Sequence, residues 1–237
     1  MIPAPLLRFA RMDGLKSDGY AAGVTDGAGQ FTTQGPTGWY TADLLATRTL
    51  GAHPIAFGLN ANEYDTDQSV YGTADWRTAA GITLRTRTYG KTRLIGLFAE
   101  DAIDLGSGIT LTAGAREEFW RAYAGGLTAA VATGIASQHY TPRAASAFSP
   151  KLALKGELAP GWRAELSLAT ATRFPTVGEL FQGSLNGDGS FNRDSFDPNL
   201  KPEKSRDANL IVRHPIGPVI VTGSLFYQRV RDAIFSY

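Results

Sequence analysis

Hydrophobic and polar residues alternate along most of this chain, with the period of two that is typical of β-strands. From Trp162 to Phe174 the even-numbered positions are apolar residues or threonine, whereas the odd-numbered positions are polar or small. Phe148 to Leu158 alternates in the same way, and Ala159-Pro160-Gly161 between the two segments is typical of a turn. The pattern therefore predicts two antiparallel strands that form a hairpin.

Other segments extend this pattern along the chain. Alternation is clear in residues 55–60, 109–116 and 206–213, and residues 219–230 are strand-like but less cleanly two-faced. Residues 91–103 are ambiguous by their period. With a doubtful strand in the first dozen residues, about nine strands are expected.

The connections between the predicted strands alternate between short and long. Short turns are predicted at Leu50–His53, Asp104–Gly108, Ala159–Gly161 and Pro215–Pro218. Long polar or glycine-rich loops are predicted at Asp13–Gly38, Tyr64–Tyr89, Tyr123–Ala147 and Pro175–Lys204. Outer-membrane β-barrels have this arrangement, with tight periplasmic turns and long extracellular loops. A soluble β-sandwich is the alternative, but sandwich loops do not sort into two such classes.

The composition narrows the possible functions. Charged residues make up 19% of the chain, and 23 basic residues nearly balance 22 acidic ones, so no nucleic-acid partner is expected. The chain has no cysteine, which excludes disulfides and thiolate metal sites. No stretch approaches about 18 consecutive apolar residues, so no transmembrane helix is predicted. The first residues do not form a convincing signal peptide.

No group of residues has the spacing of a catalytic or metal site. His53 and His214 lie at predicted turns and are expected to be solvated. His139 lies in a predicted long loop, and its alternative role is to hold a metal–ligand complex. No pair of histidines has zinc-ligand spacing. Residues 183–187 do not match a serine nucleophile elbow, and residues 186–194 depart from the calcium-loop template. The chain is therefore not expected to be an enzyme or to hold a cofactor.

Aromatic residues cluster near the ends of predicted strands. In a membrane barrel such residues form girdles at the two interfaces, because the ring is apolar and its edge is polar. This role is predicted for Trp39, Tyr40, Phe119, Trp120, Tyr123, Phe148, Trp162 and Phe174. Candidates to line a ligand vestibule in the loops are Tyr71, Trp76, Arg77, Tyr140 and Arg143.

Several segments resemble those of TonB-dependent receptors in order and spacing. Residues 148–154 resemble a strand-opening element of that family, residues 172–181 its R-x-P-x-x-x-E-L element, and residues 197–205 its N-P-x-L-K-P-E-x-S element. Residues 96–101, 111–116 and 225–234 resemble further barrel strands, and residues 17–20 match weakly. The positions that carry the motifs are Pro150, Arg173, Pro175, Glu179, Leu180, Pro198, Leu200, Pro202 and Glu203.

These motif residues have expected structural roles. Pro175 and Pro202 lack the amide proton that a strand ladder requires, so they mark where strand pairing stops. Glu179 and Glu203 are expected to bind loop backbone or arginines of the barrel interior. Ligand binding is the alternative role for these two carboxylates.

The resemblance implies an all-β fold, namely an antiparallel transmembrane β-barrel segment with about nine strands of a larger, roughly 22-stranded barrel. Residues 1–237 would then be a partial barrel domain in the outer membrane of a Gram-negative bacterium, in contact with its lipid. The family's N-terminal plug domain and energy-coupling box are not visible in the sequence. The resemblance therefore implies a fragment, which is expected neither to insert stably nor to transport on its own.

The resemblance also implies a function. The parent protein would bind a scarce nutrient outside the cell and import it with energy from TonB. A ferric siderophore or similar small ligand is the commonest substrate class in the family, and cobalamin, haem and glycans are the rivals. TonB would act through the missing N-terminal region. The alternatives are a passive porin-like barrel and a soluble β-sandwich that serves as an adhesin or glycan-binding module.

Overall fold

The computed structural model describes residues 7–13, 16–19, 27–75, 78, 80–186, 188, 190, 192 and 196–235. These residues form one antiparallel sheet and one short helix. The strands are β1 (Leu7–Asp13), β2 (Lys16–Gly19), β3 (Gly29–Gln34), β4 (Pro36–Leu50), β5 (His53–Thr73), β6 (Thr83–Gly106), β7 (Ile109–Val131), β8 (Gly134–His139), β9 (Arg143–Ala159), β10 (Trp162–Arg173), β11 (Glu203–Ile216) and β12 (Val219–Arg231). The helix α1 spans Val177–Phe181, between β10 and β11.

Nine of the strands lie side by side in the order β1-β4-β5-β6-β7-β9-β10-β11-β12, which agrees with the expected number. The doubtful first strand is present, since β1 pairs with β4. The short strands β2, β3 and β8 lie off this path. All the described strands belong to one sheet, so the alternative of a β-sandwich, which needs two packed sheets, is wrong for this part of the chain.

The four predicted short turns are confirmed. They link β4 to β5, β6 to β7, β9 to β10 and β11 to β12. Gly51 and Gly217 adopt φ angles of 62° and 60° in two of them. Glycine takes this left-handed conformation without the steric cost that a Cβ atom brings.

Three of the predicted long loops are largely strand. β5 continues to Thr73 and β6 starts at Thr83, while β7 continues to Val131 and is followed by β8. β2 and β3 lie within the first predicted loop. The extensions of β5 and β6 carry polar residues on both faces, and the extension of β7 is rich in glycine and alanine, so all three lack the alternation that marks a strand in a sequence. Among the described residues, the segment between β10 and β11 is the one predicted loop that is mainly non-strand.

The last strand lies where the sequence predicts it. β12 covers the strand-like residues 219–230 and ends at Arg231. Asp232 follows with a φ angle of 53°, which breaks the extended backbone. Tyr237 lies outside the described residues.

One face of the sheet is apolar and uncovered. Residues directly opposite each other in antiparallel strands point to the same face, and Leu166 of β10 is paired with Leu154 of β9 and Leu210 of β11. Leu166 is 43% exposed and Leu225 of β12 is 72% exposed. No described residues form a second layer over this face. Large exposed apolar side chains repeated across a sheet are what a lipid-facing barrel wall requires.

The opposite face, called the inner face below, is mostly polar. It carries Asn60 of β5, Arg116 of β7, Lys151 of β9 and Asp207 of β11, which lie one residue out of phase with the apolar positions. Among the described residues, no helical segment has both the length and the apolar character needed to cross a membrane.

Candidate functional site

A chain of hydrogen bonds runs across the inner face of β4 and β5. Asn60 Nδ2 donates to Asp43 Oδ1 at 2.5 Å, and Asn62 Nδ2 donates to Asn60 Oδ1 at 2.7 Å. The Thr41 hydroxyl donates to the amide oxygen of Asn62. All four side chains are polar, so this part of the inner wall is polar.

Arg116 extends the network from β7. Its Nε donates to Glu118 Oε1 at 2.8 Å, and its Nη2 reaches Asn60 Oδ1 on β5 at 3.3 Å. β6 lies between these strands, and a Cβ atom at Gly96 would overlap the Arg116 guanidinium. Gly96 therefore provides the space in which the arginine crosses β6.

A second ion pair lies beside this network. Lys151 of β9 binds Glu100 of β6. The hydroxyl of Ser149 is buried beside them and has no hydrogen-bond partner among the described residues. Phe98, Arg116 and Lys151 line a hollow of about 480 Å³ on this face, which can hold polar groups of a molecule in the barrel interior.

The helix α1 closes the base of the long segment between β10 and β11. Thr176 is its N-cap: its hydroxyl accepts from the Glu179 amide, and Glu179 accepts in return from the Thr176 amide at 2.8 Å. Arg173, the last residue of β10, donates to the same carboxylate. This capping box satisfies amides that the first helical turn leaves unpaired.

The carboxylate of Glu179 stays charged in this setting. Burial raises its pKa, but hydrogen bonds from the Thr176 backbone and from Arg173 outweigh that effect and hold the pKa below its ordinary value. Pro175 and Leu180 on either side are fully buried. The R-x-P-x-x-x-E-L segment thus forms a compact unit at the strand end.

An aromatic cluster fixes this unit on the inner face. The ring of Trp120 stacks on Phe174 with centroids 5.8 Å apart, and Tyr140 stacks on Phe181 at 5.4 Å. A Cβ atom at Gly90 of β6 or at Gly125 of β7 would overlap the Phe181 ring. The two glycines therefore form the seat on which α1 rests.

The predicted interfacial role is wrong for Trp120 and Phe174. They are 4% and 8% exposed and belong to the buried cluster instead. Trp39 also lies on the inner face, because it is paired with Tyr64 of β5, one residue out of phase with the outward positions. Tyr40, Phe119, Phe148 and Trp162 do lie on the apolar face, where their rings are exposed.

Arg143 ties the second half of the long segment to the wall. Its two terminal nitrogens donate to the carbonyl oxygens of Pro198 at 2.6 Å and Leu200 at 3.0 Å. Leu200 packs against the aromatic cluster. Two of the predicted vestibule residues, Arg143 and Tyr140, are thus engaged in holding the loop.

The remaining motif residues lie near strand ends or within the wall. Pro202 precedes β11, and Glu203, its first residue, accepts a hydrogen bond from the Ile234 amide beyond β12. Pro150 lies within β9, opposite Ala115.

The vestibule candidate Tyr71 stacks on Phe31, with ring centroids 5.1 Å apart. The other two vestibule candidates, Trp76 and Arg77, lie outside the described residues.

The outward face of β5 to β7 changes from apolar to charged beyond Leu59. Arg93 Nε donates to Glu63 at 2.7 Å, Lys91 pairs with Asp65 at 2.9 Å, and Arg87 pairs with Asp67 at 2.7 Å. Arg93 also lies over the Tyr123 ring. These three bases on β6 each have a carboxylate partner on β5, whereas Arg121 of β7, directly opposite Arg93, lies over the Tyr123 ring.

The histidines are more engaged than expected. His53 pairs with Asp101 at 2.7 Å, and the ring of His214 stacks on Trp162 at 4.2 Å. His139 lies 3.0 Å from the Tyr89 hydroxyl. In the part of the chain that the structure describes, no group of three or more histidine, aspartate or glutamate residues is placed to hold a metal ion.

Many families of β-barrel have a two-faced antiparallel sheet with tight turns at one end. Comparison of the sequence with protein families shows to which of them this chain belongs. The family model described as TonB dependent receptor-like, beta-barrel matches residues 8–237. The chain belongs to the TonB-dependent receptor-like β-barrel family. Barrels of this family lie in the outer membrane of Gram-negative bacteria, so the described sheet is a segment of a transmembrane barrel of that membrane.

Solved structures of transport proteins share this fold. The copper transporter OprC has a TM-score of 0.63 and 16% identity, over 87% of this chain and 32% of its own. The ferric yersiniabactin uptake receptor FyuA from Yersinia pestis has a TM-score of 0.55 and 14% identity, over 88% and 30%. The unliganded ferric citrate transporter FecA has a TM-score of 0.55 and 19% identity, over 85% of this chain and 29% of its own.

This TonB-dependent receptor-like chain spans about a third of the length of those structures. No curated protein sequence matches it.

Proposed function

We propose that the chain is part of an outer-membrane receptor that binds a small metal chelate outside the cell and imports it with energy from TonB. Its membership of the TonB-dependent receptor-like family supports this role. The observation that carries the proposal is the pair of unlike faces, with leucines on the lipid side and the Asn60–Arg116–Glu118 network on the inner side. A wall of this kind encloses a polar interior within lipid.

We propose further that residues 1–237 are a partial barrel domain whose inner face contacts a plug domain supplied by another part of the protein. Arg116 and Lys151 present charged groups there, and both side chains are partly exposed on this face. Charged groups of this kind favour complementary polar groups on a neighbouring surface. Sequencing the DNA upstream of Met1 tests this point: an open frame that encodes a plug supports it, and a frame without one contradicts it.

A ferric siderophore is the ligand class we propose first. Two of the similar structures are named for ferric yersiniabactin uptake and ferric citrate transport, and the third for copper transport. Substrates of this class are small, polar and oxygen-rich, and they suit the hydrogen-bonding groups of a polar interior.

Uptake of labelled iron tests the proposal. Cells that lack the gene are grown without iron and given a panel of ferric siderophores, ferric citrate and copper chelates, each labelled in the metal. One chelate should lose uptake on deletion and regain it when the gene is restored, but only in cells with TonB. Uptake that is restored equally without TonB would identify a passive porin-like barrel, and unchanged uptake of every chelate would refute the import role.

A further inference from the structure

The strand ladder between β9 and β10 stops before either strand ends. Its last pair is Lys151 with Ala169, although both strands continue beyond it. Among the described residues, no ladder pair joins residues 143–150 of β9 to residues 170–173 of β10. The wall therefore has an opening between these two neighbouring strands, called the slit below.

The ladders on either side of the slit are complete. β9 pairs with β7 as far as its first residue, Arg143, which lies opposite Ala122. β10 pairs with β11 as far as its last residue, Arg173, which lies opposite Glu203. Each strand is thus held by its other neighbour at the height of the slit, so the slit is an interruption within the wall and not a frayed end.

Pro150 explains where the ladder stops. In the register of β9 and β10 it is the position that would lie opposite Thr170. Proline has no N–H to donate, so in the interior of a sheet it removes a ladder hydrogen bond. The inner-face residues along the slit are Ala147 and Ser149 of β9 and Ala171 of β10, and their small side chains leave the opening free.

The slit begins near the top of the apolar belt. Pro150 lies nine residues from Ala159, the end of β9 at the tight turn. Nine residues that rise about 3.3 Å each at a tilt of about 45° climb about 21 Å, and the apolar band of an outer-membrane barrel is about 25 Å tall. Backbone groups that are left unpaired above Pro150 therefore lie where water reaches them, without the cost that they would have in hydrocarbon.

Hollows on the two sides of the wall adjoin at the slit. The inner hollow of about 480 Å³, which Arg116 and Lys151 line, also has residues 170–172 in its lining. An outer hollow of about 510 Å³ is lined by the same residues of β10 and by Phe148 and Pro150 of β9. Since residues 170–172 border both hollows, the slit joins the outside of the wall to its inside.

An apolar groove leads to the slit from the lipid side. This groove, of about 520 Å³, has Leu152, Leu168 and Tyr227 in its lining. Pro150 and Thr170 border both the groove and the outer hollow. A continuous path thus runs from an apolar groove on the lipid side, through the slit, to a hollow with charged groups on the inner side. Such a path matches a molecule with an apolar chain and a polar head.

We propose that the slit is a lateral passage for the apolar chain of an amphiphilic metal chelate, that is, a chelate that carries an acyl chain. The polar chelate lies beside Arg116 and Lys151 in the interior, while its chain passes between Pro150 and Ala171 to the outer leaflet. The chain then keeps an apolar surrounding while the chelate is bound, which favours binding. This inference rests on the import role proposed above and defines the class of substrate.

Single cysteines in this cysteine-free chain test the passage directly in the protein within its outer membrane. A171C places a thiol at the slit, and A153C is the matched control, because Ala153 is also an inner-face alanine but lies in the closed ladder opposite Ser167. Each is treated with N-dodecylmaleimide, which dissolves in lipid, and separately with a charged maleimide, which stays in water. The ratio of the two labelling rates should be about tenfold higher for A171C than for A153C, since each methylene of the dodecyl chain favours lipid.

Two further variants calibrate this ratio. L168C, on the lipid face, gives its upper value. P150A restores the missing amide and lets the ladder extend, so in the A171C protein it should lower the ratio towards that of A153C. An A171C ratio that P150A leaves unchanged would contradict the role of the proline.

Uptake tests the class of substrate. The panel of metal-labelled chelates is repeated with each chelator carrying a dodecyl chain, and at least one acylated chelate should be imported. A171F, whose ring fills the slit, should reduce that uptake about tenfold. It should leave uptake of the plain chelate within about twofold. A153F is the matched control and should not distinguish the two forms. If A171F fails to fold, P150A is used in its place with the same expectations.

The possible failures are distinguishable. Equal labelling ratios for A171C and A153C would show that the wall is closed, and would overturn the passage whatever the protein imports. Import of plain chelates without any acylated form, or an equal effect of A171F on both forms, would overturn the assigned substrate class. Failure to import chelates of either kind would refute the proposed function itself, and the substrate class with it.

Discussion

At the scale of single residues, Glu179 organises the base of the long segment between β10 and β11. Its carboxylate takes hydrogen bonds from the Thr176 amide, the Thr176 hydroxyl and the Arg173 side chain. Replacing it with glutamine removes the charge from these bonds and should cost about 1 kcal/mol of local stability, in the range of a lost helix cap. Limited proteolysis between β10 and β11 in the intact protein should then become about fivefold faster.

The same residue gives this segment a pH dependence. Because the pKa of Glu179 is lowered in the folded protein, its stabilisation is complete above the ordinary value of 4.5 and is lost as the pH falls through the lowered pKa. Proteolysis of the unchanged protein by an acid-active protease should accelerate below that range, whereas E179Q should respond less. E165Q, which alters a carboxylate on the inner face of β10, serves as the control. An equal acid response in E179Q would exclude this role for Glu179.

Gly125 is the second residue with a specific steric role. A Cβ atom there would overlap the Phe181 ring, so G125A should displace α1 from its seat on β7. Overpacking of this kind costs about 1–3 kcal/mol, and the fluorescence of Trp120 should shift to longer wavelength as the cluster opens. G223A is the matched control, because nothing lies within 4 Å of a Cβ atom at that glycine. A G125A protein with unchanged fluorescence would show that the seat is not needed.

At the scale of elements, Arg143 of β9 holds the segment that returns to β11. It donates to two carbonyl oxygens, those of Pro198 and Leu200, and a lysine cannot reproduce this fork. R143K and R143A should both increase chymotrypsin cleavage after Leu200, by roughly fivefold to thirtyfold for a loss of about 1–2 kcal/mol. Arg121, whose guanidinium lies over the Tyr123 ring, offers the control substitution R121K. Cleavage that changes equally in R121K would point to a general effect of arginine loss.

The strand pattern in the sequence predicts elements only where the two faces meet different surroundings. Residues 162–173 alternate because Leu166 meets lipid while Glu165 faces the interior. Beyond the apolar belt the outward face carries pairs such as Asp65 with Lys91, and both faces are polar there. The extensions of β5, β6 and β7 therefore read as loops in the sequence although their ladders continue.

The candidate site likewise has features that the sequence predicts and features that it does not. The capping residues Thr176 and Glu179 have the spacing of a helix start, so α1 is readable from the sequence although it was not predicted. The position of an aromatic residue near a strand end does not tell on which face its ring lies. Trp120 is therefore predicted at the membrane interface, although it lies on the inner face. Strand parity resolves it: Phe119 and Trp120 are adjacent, so one of them must point inward. Arg116 reaches across Gly96 because of the register between β6 and β7, and the sequence around either residue does not indicate this contact.

At the scale of the whole molecule, the sheet has two free edges among the described residues. β1 pairs only with β4, and β12 pairs only with β11. An edge strand in lipid leaves amides and carbonyls unpaired, at several kcal/mol for each group. The isolated 237-residue chain should therefore fail to insert as a stable barrel and should show no heat-modifiable migration after extraction from membranes. Urea-resistant, heat-modifiable migration of this chain alone would contradict the expectation.

The central claim is that the leucine face of the sheet meets lipid and the polar face meets the barrel interior. Since the chain has no cysteine, single cysteines can carry spin labels at successive positions of β10, from Arg163 to Ala169, in the protein within its membrane. Accessibility to dissolved oxygen, which concentrates in lipid, should peak at Leu166 and Leu168, and accessibility to a water-soluble nickel chelate should peak at the odd-numbered positions. Labels at Leu166 and Leu168 that neither reagent reaches would show that the leucines are packed in a protein core, and the barrel account would fail.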